Sequence, residues 1–219
     1  MILYTVEKKD EQEIYVDIKK SGDLNQKSIY VNLTNRCPCC CVFCLRQTKK
    51  LLESNSLWLK KEPTVEEVLQ ELSNYDLSKI SELVFCGFGE PFERFYDDCK
   101  IIDELKKKYP TLKVRANTNG LANLIWKKNI CPELKNRFDT ISISLNAPSA
   151  QEFFDITKSR FGIKSFDEIK KFALEAKKYV TNVVMSVVDT VLSSEKIQEC
   201  KNICTELGVT LRVRPFVKN

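Results

Sequence analysis

The sequence predicts an α/β fold, a partial (β/α)6 TIM-like barrel of parallel strands with a small β-hairpin appendage at its N-terminus. Two observations lead there. Short apolar runs alternate with stretches of helical periodicity, and the alternation repeats until six β/α steps are complete. The chemically distinctive segments also follow the strand-like runs, which is where such a fold places its active face.

The elements follow in order. Met1 to Lys20 reads as a hairpin turning around Lys9-Asp10-Glu11-Gln12, giving a division into residues 1–20 and a core domain of residues 21–219. The first core strand is the apolar run Ser28 to Thr34. Pro63-Thr64-Val65 opens a helix whose Val65, Val68, Leu69 and Leu72 share one side. A strand at Glu82 to Phe85 precedes a helix from about Glu93 to Lys108, with Ile101, Ile102 and Leu105 on its apolar side. Further strands fall at Leu112 to Asn117, Thr140 to Asn146, Asn182 to Val188 and Thr210 to Pro215. Helical segments near Leu121, at Phe166 to Tyr179 and at Ser194 to Leu207 separate them. Strands spaced by helices imply right-handed crossovers between parallel neighbours.

Composition narrows the function classes. A hydrophobic fraction of 43% and a charged fraction of 30% in 219 residues describe a water-soluble domain, with no apolar stretch long enough to span a bilayer. The net charge of +5 comes from lysines scattered over helix faces such as Lys106-Lys107-Lys108, without a basic stripe interleaved with aromatics. A nucleic-acid partner is therefore not indicated. The opening Met1 to Asp10 lacks a secretory signal, so the expectation is a cytoplasmic protein whose ten cysteines are not a disulfide framework.

The cysteines carry the sharpest signal. Cys37, Cys41 and Cys44 form a Cys-x3-Cys-x2-Cys set in the loop after the first core strand, with Cys39 and Cys40 between them and Phe43 before the last. Three thiolates in one loop can hold a cubic iron-sulfur cluster at three corners and leave the fourth iron open. Zinc is the rival reading; with no histidine in the chain it would need all-cysteine or carboxylate ligation. Cys86, Cys99 and Cys131 are isolated and read as small hydrophobes. Cys200 and Cys204 share a helix face, but no second pair supports a metal there.

Each later strand ends in a candidate site. Gly87-Phe88-Gly89-Glu90 follows the second strand, where glycines permit positive φ and close approach of backbone to a ligand. On the third strand Arg115, Asn117 and Asn119 alternate with Val114 and Ala116; on the fourth, Ser142, Ser144 and Asn146 alternate with Ile141, Ile143 and Leu145. Asn117, Asn119, Ser144 and Asn146 are the candidate ligand contacts, against a reading in which Asn119-Gly120 is a turn and Ser142 a filler. Ser186 interrupts the apolar fifth strand, and Asp189 at its end is a turn cap or a site residue. Arg212 and Arg214 share a face of the sixth strand; as buried arginines they would pair with Asp189 or with a bound anion.

The cysteine spacing, with Phe43, resembles the signature of the radical S-adenosylmethionine (SAM) superfamily, and Gly87 to Glu90 resembles its Gly-Gly-Glu-Pro motif with one residue inserted. Asn35-Arg36-Cys37, Leu57-Trp58-Leu59, Glu62-Pro63-Thr64, Val84 to Gly87, Asn117 to Leu121, Ser142 to Pro148 and Leu211 to Arg214 together resemble the TatD-linked radical SAM proteins. The resemblance implies an enzyme with one [4Fe-4S] cluster on Cys37, Cys41 and Cys44, and SAM as second cofactor. It implies SAM contacts from Phe43, Gly87, Phe88, Gly89, Glu90, Asn117, Asn119, Ser144, Asn146, Ser186 and Arg214. The implied chemistry is reductive cleavage of SAM to a 5′-deoxyadenosyl radical that takes hydrogen from a small-molecule or nucleotide substrate. The alternatives are an activating enzyme acting on a partner protein and a non-enzymatic iron-sulfur or zinc protein. A low-potential electron donor, flavodoxin or ferredoxin, and a functional association with a TatD-type hydrolase are the implied partners.

Overall fold

A computed structural model describes residues 1–9, 12–48 and 56–215. Its strands are β1 (Leu3–Lys9), β2 (Gln12–Asp17), β3 (Ser28–Val31), β4 (Glu82–Phe85), β5 (Val114–Thr118), β6 (Thr140–Ser144), β7 (Asn182–Val188) and β8 (Thr210–Arg214). They follow the order β2-β1-β3-β4-β5-β6-β7-β8 in an open sheet. The fold is α/β with mostly parallel strands, as the alternating pattern implies. The turn expected at Asp10-Glu11 lies outside the described residues, as does Phe216 beyond the last strand.

The chain divides into two compact units, Met1–Arg36 with Lys50–Ala116 and Cys37–Lys49 with Asn117–Asn219. In the first, β1 pairs antiparallel with β2 and, through Leu3 and Tyr4, with Val31 and Tyr30 of β3; β3, β4 and β5 are parallel. The hairpin thus extends the sheet through an antiparallel edge. Helix α2 (Val65–Leu72) starts at a capping box in which the Thr64 hydroxyl accepts the Glu67 amide and the Glu67 carboxylate accepts the Thr64 amide. Helix α3 (Phe95–Lys108) buries Phe95, Ile101, Ile102 and Leu105. The residues expected to open that helix, from Glu93, instead lie in a 3-10 turn, Pro91–Arg94, because Glu90 caps it and Pro91 has no amide to donate.

In the second unit β6, β7 and β8 are parallel. Helix α1 (Leu45–Thr48) follows the cysteine loop, and α4 (Ala122–Trp126), α5 (Ala150–Thr157), α6 (Ser165–Ala176) and α7 (Ser194–Leu207) follow in turn. The sequence reading did not include α5. Its signal was present, since the Ser149 hydroxyl accepts the Glu152 amide at 3.4 Å, a Ser-x-x-Glu start ahead of Phe153. The first core strand is also shorter than expected. It stops at Val31, and beyond it the Asn32 side chain donates to the Met1 and Leu57 carbonyls at 3.0 and 2.6 Å. Among the described residues no helix is long and apolar enough to cross a membrane.

Candidate metal centre and its flanking loops

The cysteine loop begins where the second unit begins, and helix α5 holds it. The last carbonyls of a helix lack partners within the helix. Here the Cys40 amide donates to the Thr157 carbonyl at 2.8 Å and the Val42 amide to the Ile156 carbonyl at 3.0 Å, while the Arg160 amide donates to Pro38 at 2.8 Å. A tight turn, Cys44 amide to Cys41 carbonyl at 3.0 Å, closes the loop. Residues 37–44 are therefore pinned at both flanks by backbone bonds that do not depend on side-chain identity. Phe43 is half-buried in that turn.

Within the loop the thiols cooperate. Cys39 bonds to both Cys37 and Cys41, which holds the Cys37 thiol at about 7, against the opposing effect of burial, and drives the Cys39 thiol far upward. Burial raises Cys44. Asn119 aims its amide nitrogen at the Cys37 sulfur from 3.9 Å, and its oxygen accepts the Leu121 amide at 2.9 Å. Asn119 therefore both makes the expected turn, with Gly120 at φ 76°, and reaches a cysteine.

Cys37, Cys41 and Cys44 are half-buried and without disulfides. Three thiolates in one loop are a donor set that suits a cubic cluster, which takes each of them on a separate iron. Cys99, Cys131, Cys200 and Cys204 are buried, and burial pushes Cys131 and Cys200 up to about 12 and Cys204 up to about 11, whereas Cys86, expected to pack as they do, is half-buried.

Further candidates lie on the strands of the same unit. Ser144 of β6 stands in register with Ser186 of β7, and the Ser186 carbonyl accepts the amides of Leu145 at 2.9 Å and Asn146 at 3.3 Å. Asn146 has φ 60°, is 4% exposed, and its side-chain oxygen is buried with no hydrogen-bond partner. Asn117 is half-buried at the end of β5. Arg214 is half-buried opposite Val188, but Arg212 is exposed, which corrects the expectation of two buried arginines. The reason is that β8 ends the sheet order and has a neighbour on one side only. Asp189 accepts the Thr190 amide at 2.6 Å and starts a 3-10 turn, the capping role.

In the first unit the loop after β4 packs on the segment leaving β3. A Cβ at Gly87 would lie 2.0 Å from the Asn32 side-chain oxygen, and one at Gly89 would lie 2.2 Å from the Thr34 carbonyl oxygen. Neither glycine has a positive φ, contrary to expectation. Close approach to the chain's own backbone is what excludes a side chain. Phe88 is buried edge-on against Trp58, with ring centroids 5.4 Å apart, so its ring serves packing. Glu90 is 3% exposed; its amide donates to the Arg36 carbonyl at 2.8 Å and its carboxylate accepts the Phe92 amide at 3.2 Å. The same strand exit is clamped by Arg94, which donates to the Leu33 carbonyl at 3.1 Å and pairs with Asp97 at 2.8 Å.

Sequence reading missed Asp98. It lies on the inner side of α3, fully buried, with neither carboxylate oxygen hydrogen-bonded. Burial first, then the neighbouring Glu90, raises its pKa well above the usual carboxylate range, with Arg94 opposing. No spacing rule marks such a residue; only α3 packing reveals it.

The family described as the radical SAM superfamily matches residues 31–207. No curated protein matches the chain. Among solved structures, Streptococcus suis SuiB bound to its precursor peptide SuiA is similar at TM-score 0.61 and 17% identity, over 85% of this chain and 38% of that one. A radical SAM methyltransferase from Sphaerobacter thermophilus is similar at TM-score 0.58 and 14% identity, over 97% and 77%. Methylornithine synthase (PylB) is similar at TM-score 0.57 and 14% identity, over 87% and 53%. The chain thus spans well under half the length of SuiB.

Proposed function

The chain belongs to the radical SAM superfamily, whose enzymes use a [4Fe-4S] cluster and SAM, and on that premise we propose that Cys37, Cys41 and Cys44 hold one such cluster beside a SAM molecule. The observation that carries this reading is the loop itself: Cys37, Cys41 and Cys44 lie in one short segment that backbone bonds pin on α5, with Cys39 bonded to Cys37 and Cys41. When bound, the group supplies one electron that cleaves SAM to methionine and a 5′-deoxyadenosyl radical, which takes hydrogen from the substrate. The residues around it have binding work rather than acid-base work, in keeping with a chain that has no histidine.

Asn119 donates to the Cys37 thiolate and stabilises its charge. The main-chain groups of Gly87, Phe88 and Gly89, with the Glu90 carboxylate, bind the SAM amino group; the Phe88 ring serves packing instead. Asn117, Ser144, Asn146 and Ser186 take the ribose and Arg214 the carboxylate. Phe43 shields the loop from water. The buried Asn146 oxygen supports this assignment, since a buried acceptor left unmatched costs about 1–3 kcal/mol.

The substrate of this reading is a small molecule or nucleotide. A partner protein is the second reading, favoured by the peptide bound to SuiB. The finer family assignment, to the TatD-linked group, rests on the sequence motifs and brings with it a cytoplasmic setting, a flavodoxin or ferredoxin as donor and an association with a TatD-type hydrolase. Co-purification with that hydrolase tests the association.

Anaerobic reconstitution followed by iron and sulfide analysis tests the centre. The expected result is four irons per chain, lost when Cys37, Cys41 and Cys44 are replaced by alanine and kept in Cys40→Ala. Under dithionite the parent should release 5′-deoxyadenosine from SAM. An intact cluster in the triple variant, or no deoxyadenosine from a fully loaded parent, would overturn the proposal.

A further inference from the structure

The segments that leave β3 and β4 stay side by side. The Cys86 amide donates to the Val31 carbonyl at 3.0 Å and the Glu90 amide to the Arg36 carbonyl at 2.8 Å, and between these bonds Gly87 lies against the Asn32 side chain. Asn32 is 1% exposed, and its own amide is tied to the Ile2 carbonyl at 2.8 Å. The side-chain nitrogen donates to the Met1 and Leu57 carbonyls at 3.0 and 2.6 Å. Those two bonds fix which way the side chain points, because the opposite orientation would set its oxygen against two carbonyl oxygens. The oxygen, Oδ1, is thereby held against Gly87, buried and with no hydrogen-bond partner.

Bracing two carbonyls needs the nitrogen alone. A buried oxygen left unmatched carries the cost of its lost hydration until a donor reaches it. A Cβ at residue 87 would lie 2.0 Å from this oxygen, so only glycine leaves it the space it occupies. An anion at this loop would meet acceptors, the Asn32 oxygen at one end and the buried Glu90 carboxylate at the other; an amine or ammonium is the group that suits both. We propose that Asn32 Oδ1 accepts a hydrogen bond from the amino group of bound SAM, beside the main chain of Gly87. This rests on the reading of Gly87 to Glu90 as the loop that binds that group. Asn32 is then a binding residue outside the cysteine and glycine motifs, and its bonds to Met1 and Leu57 set the oxygen in place before the ligand arrives.

The test compares two ligands on the reconstituted, unreduced protein, where no turnover occurs: SAM, and an analogue in which hydrogen replaces the amino group. Equilibrium dialysis gives the ratio of their affinities. Other contacts of the amino group are common to parent and variants and cancel in the comparison. Asn32→Ala has no side-chain oxygen, and its ratio should fall about tenfold below the parent's. Asn32→Asp keeps an oxygen but loses the donors to Met1 and Leu57, and it should keep the parent's ratio or exceed it. An unchanged ratio in Asn32→Ala overturns the proposal, since the oxygen then faces water or nothing. An equal fall in both variants also overturns it, because a side chain that only braces the loop fails in both alike. If either variant does not fold by circular dichroism, the parent decides: difference infrared spectra with labelled asparagine should show one side-chain carbonyl moving to lower frequency with SAM and not with the analogue, and no such band overturns the proposal. A parent that binds no SAM overturns the loop reading and this proposal together, whereas SAM binding with unchanged ratios overturns this proposal alone.

Discussion

Gly89 sits so close to the Thr34 carbonyl that a methyl group has nowhere to go, because the neighbour is backbone and cannot swing aside. Gly89→Ala should therefore cost about 1–3 kcal/mol or more in urea unfolding, the range for overpacking. Unchanged stability with lost SAM binding would show that ligand access, not packing, requires the glycine. Asp98 offers a test of opposite sign. A carboxyl whose pKa is higher folded than unfolded takes up a proton on folding, so native stability falls as pH rises from its unfolded value near 3.8. Asp98→Asn does not titrate. Its stability relative to the parent should grow from pH 4 upward, by at most about 1.4 kcal/mol per pH unit until the folded pKa is passed. Glu90, Arg94 and Asp97 face Asp98 in both proteins, so parallel stability curves would mean that another group compensates the burial.

At the scale of elements, α5 is the piece on which the cysteine loop depends. The Ser149 cap starts it and the Ile156 and Thr157 carbonyls end it against the loop. Ser149→Ala should cost about 1 kcal/mol and speed hydrogen exchange at the Cys40 and Val42 amides, which bond to the Thr157 and Ile156 carbonyls and should be protected in the parent. Peptide-level exchange measured by mass spectrometry checks this, and unaltered exchange at those two amides would uncouple helix from loop. The cysteine spacing and the strand preceding it were legible in sequence because both are local. The support from α5 was not: its partners are more than a hundred residues apart, and backbone hydrogen bonds leave no mark on residue type.

At the scale of the whole molecule, ligand binding should register as stability. A ligand that binds only the native state at a hundred times its Kd adds about 2.7 kcal/mol, or about 5–10 °C for a chain of this length. The reconstituted protein should show such a rise in Tm with SAM, and the Cys37, Cys41, Cys44 triple alanine variant should not. An equal rise in both would mean that SAM is held without the cysteine loop.

Period and spacing are properties of neighbours along the chain. From them alone followed the β/α alternation, the helix from Ser194 to Leu207, the β7 strand to the residue, and the grouping of Cys37, Cys41 and Cys44. Tertiary structure decided what neighbours cannot carry. Gly87 and Gly89 are fixed by the exit of β3, Phe88 packs on Trp58, Arg212 lies exposed on the last strand of the sheet, and Asp98 is sealed without a partner. Each of these depends on which distant segment arrives alongside, and burial and contact across such distances follow from packing rather than from pattern.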